Sequence, residues 1–371
     1  MNPPKKFGFL WSYSLLLVIV GSYYGLGPGW TFAGAAYIYL LVPLLDALAG
    51  IDRTNVRHDA YQNVLNDPYF DVLLYSFVYG QYALLGWGGY VLVFDGLTTV
   101  QQLGLMLSIG LFSGTIINVA HELGHRTSRM AQWHAKLALA SVGYMHFLIE
   151  HNRGHHVHVA TPLDPATARR NQSLYAFWRQ TLIGSYRSAW QLEQRRLAKA
   201  RLPLWSRQND MLWFAGWPVL LVTGLTAGFS LWAGRFAGVV PLFWLAQAGV
   251  AVLLLETINY IEHYGIVRRE VAPGKYERVN PLHSWNAGQF VSNLLLFQLQ
   301  RHSDHHAYAS RPYQVLRHFD ESPQLPFGYP LTMLLALVPP LWFRVMNPRL
   351  DTWRARAGDA GQLAAVVRQF A

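Results

Sequence analysis

Nine of the fifteen histidines in this 371-residue sequence fall into four short clusters. They are His121-Glu-Leu-Gly-His125, Glu150-His151-Asn-Arg-Gly-His155-His156, Asn259-Tyr-Ile-Glu262-His263-Tyr-Gly and Gln300-Arg-His302-Ser-Asp304-His305-His306. Imidazole is the commonest metal ligand, and positions i, i+3 and i+4 of a helix share a face. The pairs His121/His125 and His151/His155 and the trio His302/His305/His306 can therefore each turn their rings one way, as preformed pieces of a metal site. Nine neutral imidazoles exceed the needs of one ion, because zinc takes about four protein ligands and an octahedral ion at most about six. Two metals sharing four or five histidines each is the natural partition. Imidazole suits iron, copper, zinc and nickel alike, so ligand softness does not choose the ion. Glu122, Glu150, Glu262 and Asp304 are interspersed where they can accept the second ring N–H of a ligand histidine or bridge two metals. His58, His134, His146 and His318 stand alone and read as ordinary core or surface residues, while His158 and His283 lie nearer the clusters. Cysteine is absent, which excludes thiolate metal sites, iron–sulfur clusters held by this chain, disulfides and a cysteine nucleophile.

The elements that position these clusters are membrane helices. The sequence is 52% hydrophobic and 13% charged, the latter roughly half the share of an ordinary soluble domain. A mean hydropathy of only +0.14 implies that apolar spans alternate with long polar loops. Crossing a bilayer takes about 20 apolar residues of helix. Six runs qualify: 7–26, 30–50, 70–94, 100–120, 211–233 and 236–258. Short connections pair them as three hairpins, and the first run reads as a retained anchor, being too long for a signal-peptide core. The fold class expected is thus an all-α integral membrane protein with six transmembrane helices and a histidine-rich cap formed by 121–210 and 259–371, the whole chain being one domain. Of the 30 Lys and Arg, only Arg235 falls outside the termini and the long polar segments. Positive charge marks the cytoplasmic face, so both termini and the histidines are expected there. That distribution explains the formal charge of +10 through membrane topology and removes the need for nucleic acid as a partner. Two further apolar stretches, 137–149 and 331–346, are too short to span and are expected to pack on the bundle or at its interface.

At the clusters the sequence resembles the membrane-bound di-iron alkane 1-monooxygenases, within the wider superfamily of histidine-rich membrane fatty-acid desaturases and hydroxylases. HELGHR at 121–126, EHNRGHH at 150–156, NYIEHYG at 259–265 and LQRHSDHHA at 299–307 follow that family's signatures. ATPLDPAT at 160–167 and HSWN at 283–286 also look like the family, so the resemblance runs from about residue 30 to 346. It implies two iron ions ligated by His121, His125, His151, His155, His156, His263, His302, His305 and His306. It further implies O2-dependent terminal hydroxylation of n-alkanes drawn from the lipid phase, and electrons from rubredoxin with rubredoxin reductase upstream, at a bacterial inner membrane. Related enzymes act on aromatic methyl groups or fatty acyl chains, but they vary in the second and fourth clusters or in cluster spacing. His121-Glu-x-x-His125 also matches the intramembrane zinc-protease motif, a reading that leaves seven clustered histidines without work.

The implied chemistry is physically coherent. A saturated C–H bond has no acidic proton and no electrophilic carbon, so side chains cannot attack it, and oxygen activated at a redox metal is required; this favours iron over zinc. Helical spacing makes Ile38, Leu41 and Leu45 candidates for one face of a substrate channel, and in the resembling family a bulky residue near the position of Ile38 limits pocket depth. The chain shows no flavin or nicotinamide fingerprint, so reducing equivalents come from outside. Basic residues of the cap, Arg195, Arg196 and Lys199 among them, are expected to meet an acidic redox partner or membrane lipids.

Overall fold

The computed structural model describes residues 3–357; both chain termini, assigned to the cytoplasm by the charge count, lie outside the described residues. Helices dominate. α1 (Lys5–Leu26), α2 (Ala33–Ala49), α3 (Tyr69–Phe94) and α4 (Thr99–Gly124) follow one another, and α5 (Arg129–Ala140) leads into α6, a helical run from Phe147 to His158. α7 (Leu174–Lys199), α8 (Asp210–Ala233) and α9 (Val239–His263) come next. A small antiparallel hairpin, β1 (Glu270–Ala272) and β2 (Lys275–Tyr276), precedes α10 (Phe290–Leu295), α11 (His302–Ala307), α12 (Tyr329–Ala336) and α13 (Pro339–Ala357).

A helix occupies each of the six apolar runs, but α1, α4, α8 and α9 are the four that are long and apolar enough to cross a bilayer. α2 is too short, and α3 is interrupted by Tyr75, Tyr79, Gln81, Tyr82 and Tyr90. The stretch 331–346, expected to pack on the bundle or at its interface, is bent by 119° between α12 and α13, where Pro339-Pro340 opens the second helix, and the two together make a fifth span if counted as one. Proline is favoured in a first helical turn because that turn has no use for its missing N–H.

α4 is the axis of the fold. Thr98 caps it: its hydroxyl accepts from the N–H of Gln101, whose amide oxygen accepts from the N–H of Thr98. Of its apolar window 89% is buried, against 11% for α8, so α4 is wrapped by other helices while α8 turns Val219, Leu220, Leu231 and Trp232 outward. The most extensive helix contact in the molecule joins α4 to α9. Two glycines one turn apart make it possible. A Cβ at Gly110 would lie 2.6 Å from Val250 Cβ and 3.2 Å from the carbonyl oxygen of Gln247, and one at Gly114 would lie 2.2 Å from Leu254 Cδ2. This small-x-x-x-small pattern lets backbones approach where lipid gives no hydrophobic drive for association.

Both helices run on past the ends expected for their apolar segments, α4 by a full turn and α9 by five residues, and they carry His121, Glu122 and His263 at their last turns. Next to these ends, buried Arg301 donates to the carbonyls of Leu316 (2.7 Å) and Thr54 (3.1 Å) and to the carboxylate of Asp52 (3.0 Å). The α2–α3 connection is thereby tied to the residue preceding His302. Asp46 of α2 accepts from the N–H groups of Val291 and Ser292, both at 2.9 Å, and so caps α10 from outside its own sequence.

Replacing Gly110 by Val forces α4 and α9 apart at a β-branched neighbour that cannot swing away, a strain of about 1–3 kcal/mol. The expected result is a lower thermal unfolding midpoint in detergent together with reduced metal content. Gly86→Ala, where nothing lies within 4 Å of the added methyl, should change neither.

Candidate metal centre

The nine clustered histidines converge. One nitrogen from each of His121, His125, His151, His156 and His305 lies within 4.8 Å of the others, and His155, His263, His302 and His306 form a second such set. In the five-membered set the Nε2 atoms run in a chain: His121 to His305 at 2.8 Å, His305 to His156 at 3.1 Å, His156 to His151 at 2.9 Å and His151 to His125 at 3.1 Å. In the four-membered set His155 Nε2 is 3.2 Å and His302 Nε2 2.9 Å from His306 Nε2. The sets are contiguous, with His305 and His306 ring centroids 5.7 Å apart.

The distribution differs from simple helical spacing. His121 and His125 do share a set, but His151 pairs with His156 while His155 joins the other set, and the trio on α11 splits into His302/His306 and His305. The cause in α6 is local: His151–His155 is a π turn, whose i→i+5 bonding aligns residues five apart instead of four. A nitrogen facing His151 is then offered by His156. On α11 the α-helical rule holds for His302/His306, and His305, rotated from both, reaches across to His121.

A metal fits each set. Nitrogens about 3 Å apart subtend adjacent positions around an ion whose metal–nitrogen bonds are about 2.1 Å. Fully buried His263 has no hydrogen-bond partner at either ring nitrogen, nor do His302 Nδ1 and His306 Nδ1. Each such atom costs about 1–3 kcal/mol unless something takes its lone pair or proton, and a cation offers that at His263. Burial first, and repulsion among neighbouring imidazoles second, hold His151, His156, His302, His305 and His306 well below the ordinary imidazole value and His125 at about 4. Neutral rings are the ligand form. His155 differs. Burial opposes its charge, but Asp164, with Glu150 and Glu256 behind it, outweighs burial and raises it.

The carboxylates depart furthest from the sequence reading. Glu122 accepts from Arg126 Nη2 at 3.0 Å, within reach of Asp71, which the same guanidinium also binds; it orients no imidazole and is not free to act as the base of a peptidase motif. Asp304, fully buried, is held by Arg311 at 2.6 Å and Arg317 at 2.9 Å and accepts the Arg317 N–H, so it braces the loop after α11. Glu150 points toward Gly154 and Ser188, with one carboxylate oxygen unpartnered, and burial followed by nearby Asp164 raises it to about 8. Glu262 does meet a ligand ring, but at His302 Nε2 (3.1 Å), the nitrogen that faces His306, while Tyr329 donates to its other oxygen at 2.6 Å. The residue that orients a histidine from behind is Asp164. Its Oδ2 lies 3.0 Å from His155 Nδ1 and accepts from Thr167 Oγ1 at 2.6 Å, and its Oδ1 accepts from the N–H of Ala166 at 3.0 Å. Its place in ATPLDPAT is the only sequence signal for it.

The candidate channel residues also divide. Ile38 is buried, Leu41 is 44% exposed and Leu45 is half-buried. A second π turn, over Tyr37–Leu41, shifts the face of α2, so Val42 and Asp46, not Leu41 and Leu45, continue the buried stripe from Ile38. Between the two sets a cavity of about 10 Å³, the space of one water, is lined by His121, His151 and His302, by apolar Phe147, Leu255, Ile258 and Leu299, and by Asn118, Asn259 and Glu262. Among the basic residues, Arg195 and Lys199 are exposed at the end of α7, but Arg196 is engaged by Glu193 at 2.6 Å. Of the isolated histidines, His134 packs between Tyr75 and Tyr79, and His318 meets Asp320 at 3.2 Å. His283 lies 3.4 Å from Glu277.

Asp164→Asn is expected to weaken metal retention about 10–100-fold, as loss of a partner behind a ligand histidine does. Glu122→Gln should keep the metal. Metal content after mild chelation, with circular dichroism as a folding control, checks both.

The sequence profile of the fatty acid desaturase family matches residues 97–336, from the start of α4 through α12. Among characterised relatives, alkane 1-monooxygenase 2 of Alcanivorax borkumensis is 42% identical over 94% of this chain and 92% of its own length. Alkane 1-monooxygenase 1 of Pseudomonas aeruginosa is 44% identical over 91% of this chain and 86% of its own. The xylene/toluene monooxygenase hydroxylase component of Pseudomonas putida is 29% identical over 93% and 88%. The signatures that hold the two histidine sets are thus carried on a chain that aligns nearly end to end with these oxygenases, and it belongs to the fatty acid desaturase family, with the alkane 1-monooxygenases.

Proposed function

We propose that this chain hydroxylates the terminal carbon of n-alkanes, taking alkane, O2, two electrons and two protons to a primary alcohol and water. The observation that carries the proposal is the convergence of nine imidazoles into two contiguous sets at the ends of apolar α4 and α9. Alkane 1-monooxygenase relatives of about 40% identity over nearly the whole chain support it. In this reading two iron ions are held, one by His121, His125, His151, His156 and His305 and the other by His155, His263, His302 and His306. Bound iron supplies what the side chains lack, activation of O2 for attack on an unactivated C–H bond.

The residues of this chain do the rest. Asp164 keeps the proton of His155 on Nδ1, leaving Nε2 bare for a metal. Phe147, Leu255, Ile258 and Leu299 supply the apolar part of the gap between the sets, beside Asn118, Asn259 and Glu262, and an alkyl chain is admitted there only as side chains move, given the present width. Buried Ile38 of α2 is the candidate for a more distant wall of the alkane's path. The alkane arrives laterally from lipid with its terminal methyl leading. We further propose a single domain with six transmembrane helices, the histidine centre and both termini on the cytoplasmic side of a bacterial inner membrane, and rubredoxin, reduced by its reductase, as the electron donor. Positive-inside charge and the lack of any cysteine in the chain support these assignments.

The deciding experiment is metal analysis of the purified protein combined with product identification from octane, rubredoxin and rubredoxin reductase. Iron near two per chain and 1-octanol are expected; zinc without hydroxylation would overturn the reading. Alanine at any one of the nine histidines should abolish turnover, whereas His134→Ala, whose ring bonds to Tyr79 and the Met130 carbonyl outside both sets, should retain it. Ile38→Trp should shift the preferred alkane to shorter chains, and a product distribution unchanged from octane to hexadecane would remove Ile38 from the channel wall.

A further inference from the structure

Hydroxylation changes what the protein must let go. An alkane has no hydrogen-bonding group, whereas the primary alcohol made from it has one, and an unbonded hydroxyl is costly in apolar surroundings. A path for product therefore needs polar partners that a path for substrate does not.

One cavity away from the histidine centre offers them. It lies between the end of α2 and the start of α12, holds about 310 Å³ and is walled by Pro43, Ala47, Ile51, Phe327 and Leu331. Ile51 and Phe327 are exposed, as are Leu44 and Leu48 at the same end of α2, so the mouth is apolar. Its floor is fixed to α2: the N–H of Phe290 donates to the carbonyl of Gly50 at 3.0 Å, and that of Asp52 to the carbonyl of Gly288 at 2.7 Å. Two polar side chains line this apolar space, Asp46 and Gln289. Asp46 is 5% exposed, and the Oε1 of Gln289 is buried with no hydrogen-bond partner. Both present acceptors, and what the wall lacks is a donor.

Polar groups also join this floor to the histidine centre. A Cβ at Gly328 would lie 2.7 Å from Asp46 Oδ2 and 2.8 Å from Ser292 Oγ, so glycine lets the chain pass close over both. Ser292 Oγ accepts from Gln300 Nε2 at 2.8 Å, and Gln300 Oε1 accepts from the N–H of Tyr329 at 2.9 Å. Tyr329 in turn donates to Glu262 at 2.6 Å, and Glu262 lines the gap between the two histidine sets.

We propose that the groove between α2 and α12 is a binding site for the primary alcohol product, whose hydroxyl donates to the acceptors Asp46 and Gln289 while its alkyl chain lies against Pro43, Ala47, Phe327 and Leu331. The inference rests on the alkane hydroxylase reading above and adds where the product is held as it leaves. The lining chooses among lipid-soluble ligands. An alkane offers Asp46 nothing. A fatty carboxylate or a phospholipid phosphate brings negative charge to a wall that has a carboxyl and, among the described residues, no basic side chain. A hydroxyl on an unbranched chain meets both the acceptors and the apolar walls.

A 1-decanol analogue with a diazirine in its chain tests the proposal on the detergent-solubilised, metal-loaded protein, the labelled peptides being mapped by mass spectrometry. Labelling is expected within 43–51 and 327–331, and 1-decanol should displace it at a concentration at least about tenfold below that needed of decane or decanoate, the worth of one hydrogen bond to a charged acceptor. Asp46→Asn keeps an oxygen for the N–H groups of Val291 and Ser292 but is a weaker acceptor, so about fivefold more 1-decanol should be needed, with the unfolding midpoint and metal content unchanged. Ala47→Trp, a change at an exposed position, fills the groove and should abolish labelling of both segments. Equal displacement by decane would overturn the proposal. So would labelling spread over the outward face of α8 that Ala47→Trp does not alter, or an intact Asp46→Asn protein that 1-decanol displaces as in the wild type. A wild-type protein that forms no 1-octanol from octane would overturn the hydroxylase reading instead, a result on which the labelling comparisons do not depend.

Discussion

Gly110 and Gly114 set how near α4 can come to α9, and the rest of the centre depends on that approach. The two helices deliver His121 and His263 to opposite sets from their last turns, so the distance between sets is fixed by a close helix contact about two to three and a half turns below them. A contact made by side chains could relax by rotamer changes. One made by the absence of side chains cannot, and this rigidity is useful for ligands that must converge within about half an ångström of a productive geometry. Around this pair the remaining ligands come from segments with little helix of their own. α11 has six residues and the π turn of α6 five, so neither would form alone in water, and both are held by tertiary bonds.

Those bonds explain the buried charges of the cap. Arg301, Asp304, Arg311 and Arg317 bracket α11 on both sides, tying it to the α2–α3 connection and to its own following loop. Removing Asp52 would strand buried Arg301, and removing both Arg311 and Arg317 would strand buried Asp304, a larger penalty than the pairs' net contribution. The arrangement is better understood as fixing where three histidines stand than as adding to global stability.

Much of this was legible in the sequence. The four histidine clusters, their position at helix ends and their sufficiency for two metals follow from residue type and spacing, because imidazole chemistry and the helical repeat are local properties. The exceptions share one cause. Spacing predicts faces only while the helix is α, and two π turns, at Tyr37–Leu41 and His151–His155, re-phase the residues beyond them. Leu41 left the buried stripe for that reason, and His155 left His151. The carboxylates failed differently. Glu122 and Asp304 lie beside clustered histidines in sequence, yet Glu122 is captured by Arg126, four residues on in the same signature, and Asp304 by Arg311 and Arg317 of the loop that follows α11. Asp164 sits nine residues from His155 and is returned to it by a turn that Thr167 and Ala166 stabilise. Adjacency along the chain is a weak guide to what stands behind a ring.

The scattering of ligands along the chain also has a bearing on how the centre comes into being. Each set needs α11: the five-histidine set lacks His305, and the four-histidine set lacks His302 and His306, until more than four fifths of the sequence has been synthesised. A nascent chain that has inserted α1 through α9 presents only unfinished fragments, of which His121/His125 on one helix is the most ordered. Because an incomplete fragment binds metals in order of intrinsic imidazole affinity, the unfinished sites are open during synthesis to whichever ion binds most tightly, a competition the finished geometry can bias. Placing the last histidines on a late, short helix held by Arg311 and Arg317 postpones closure of both sets until α1 through α9 have been made.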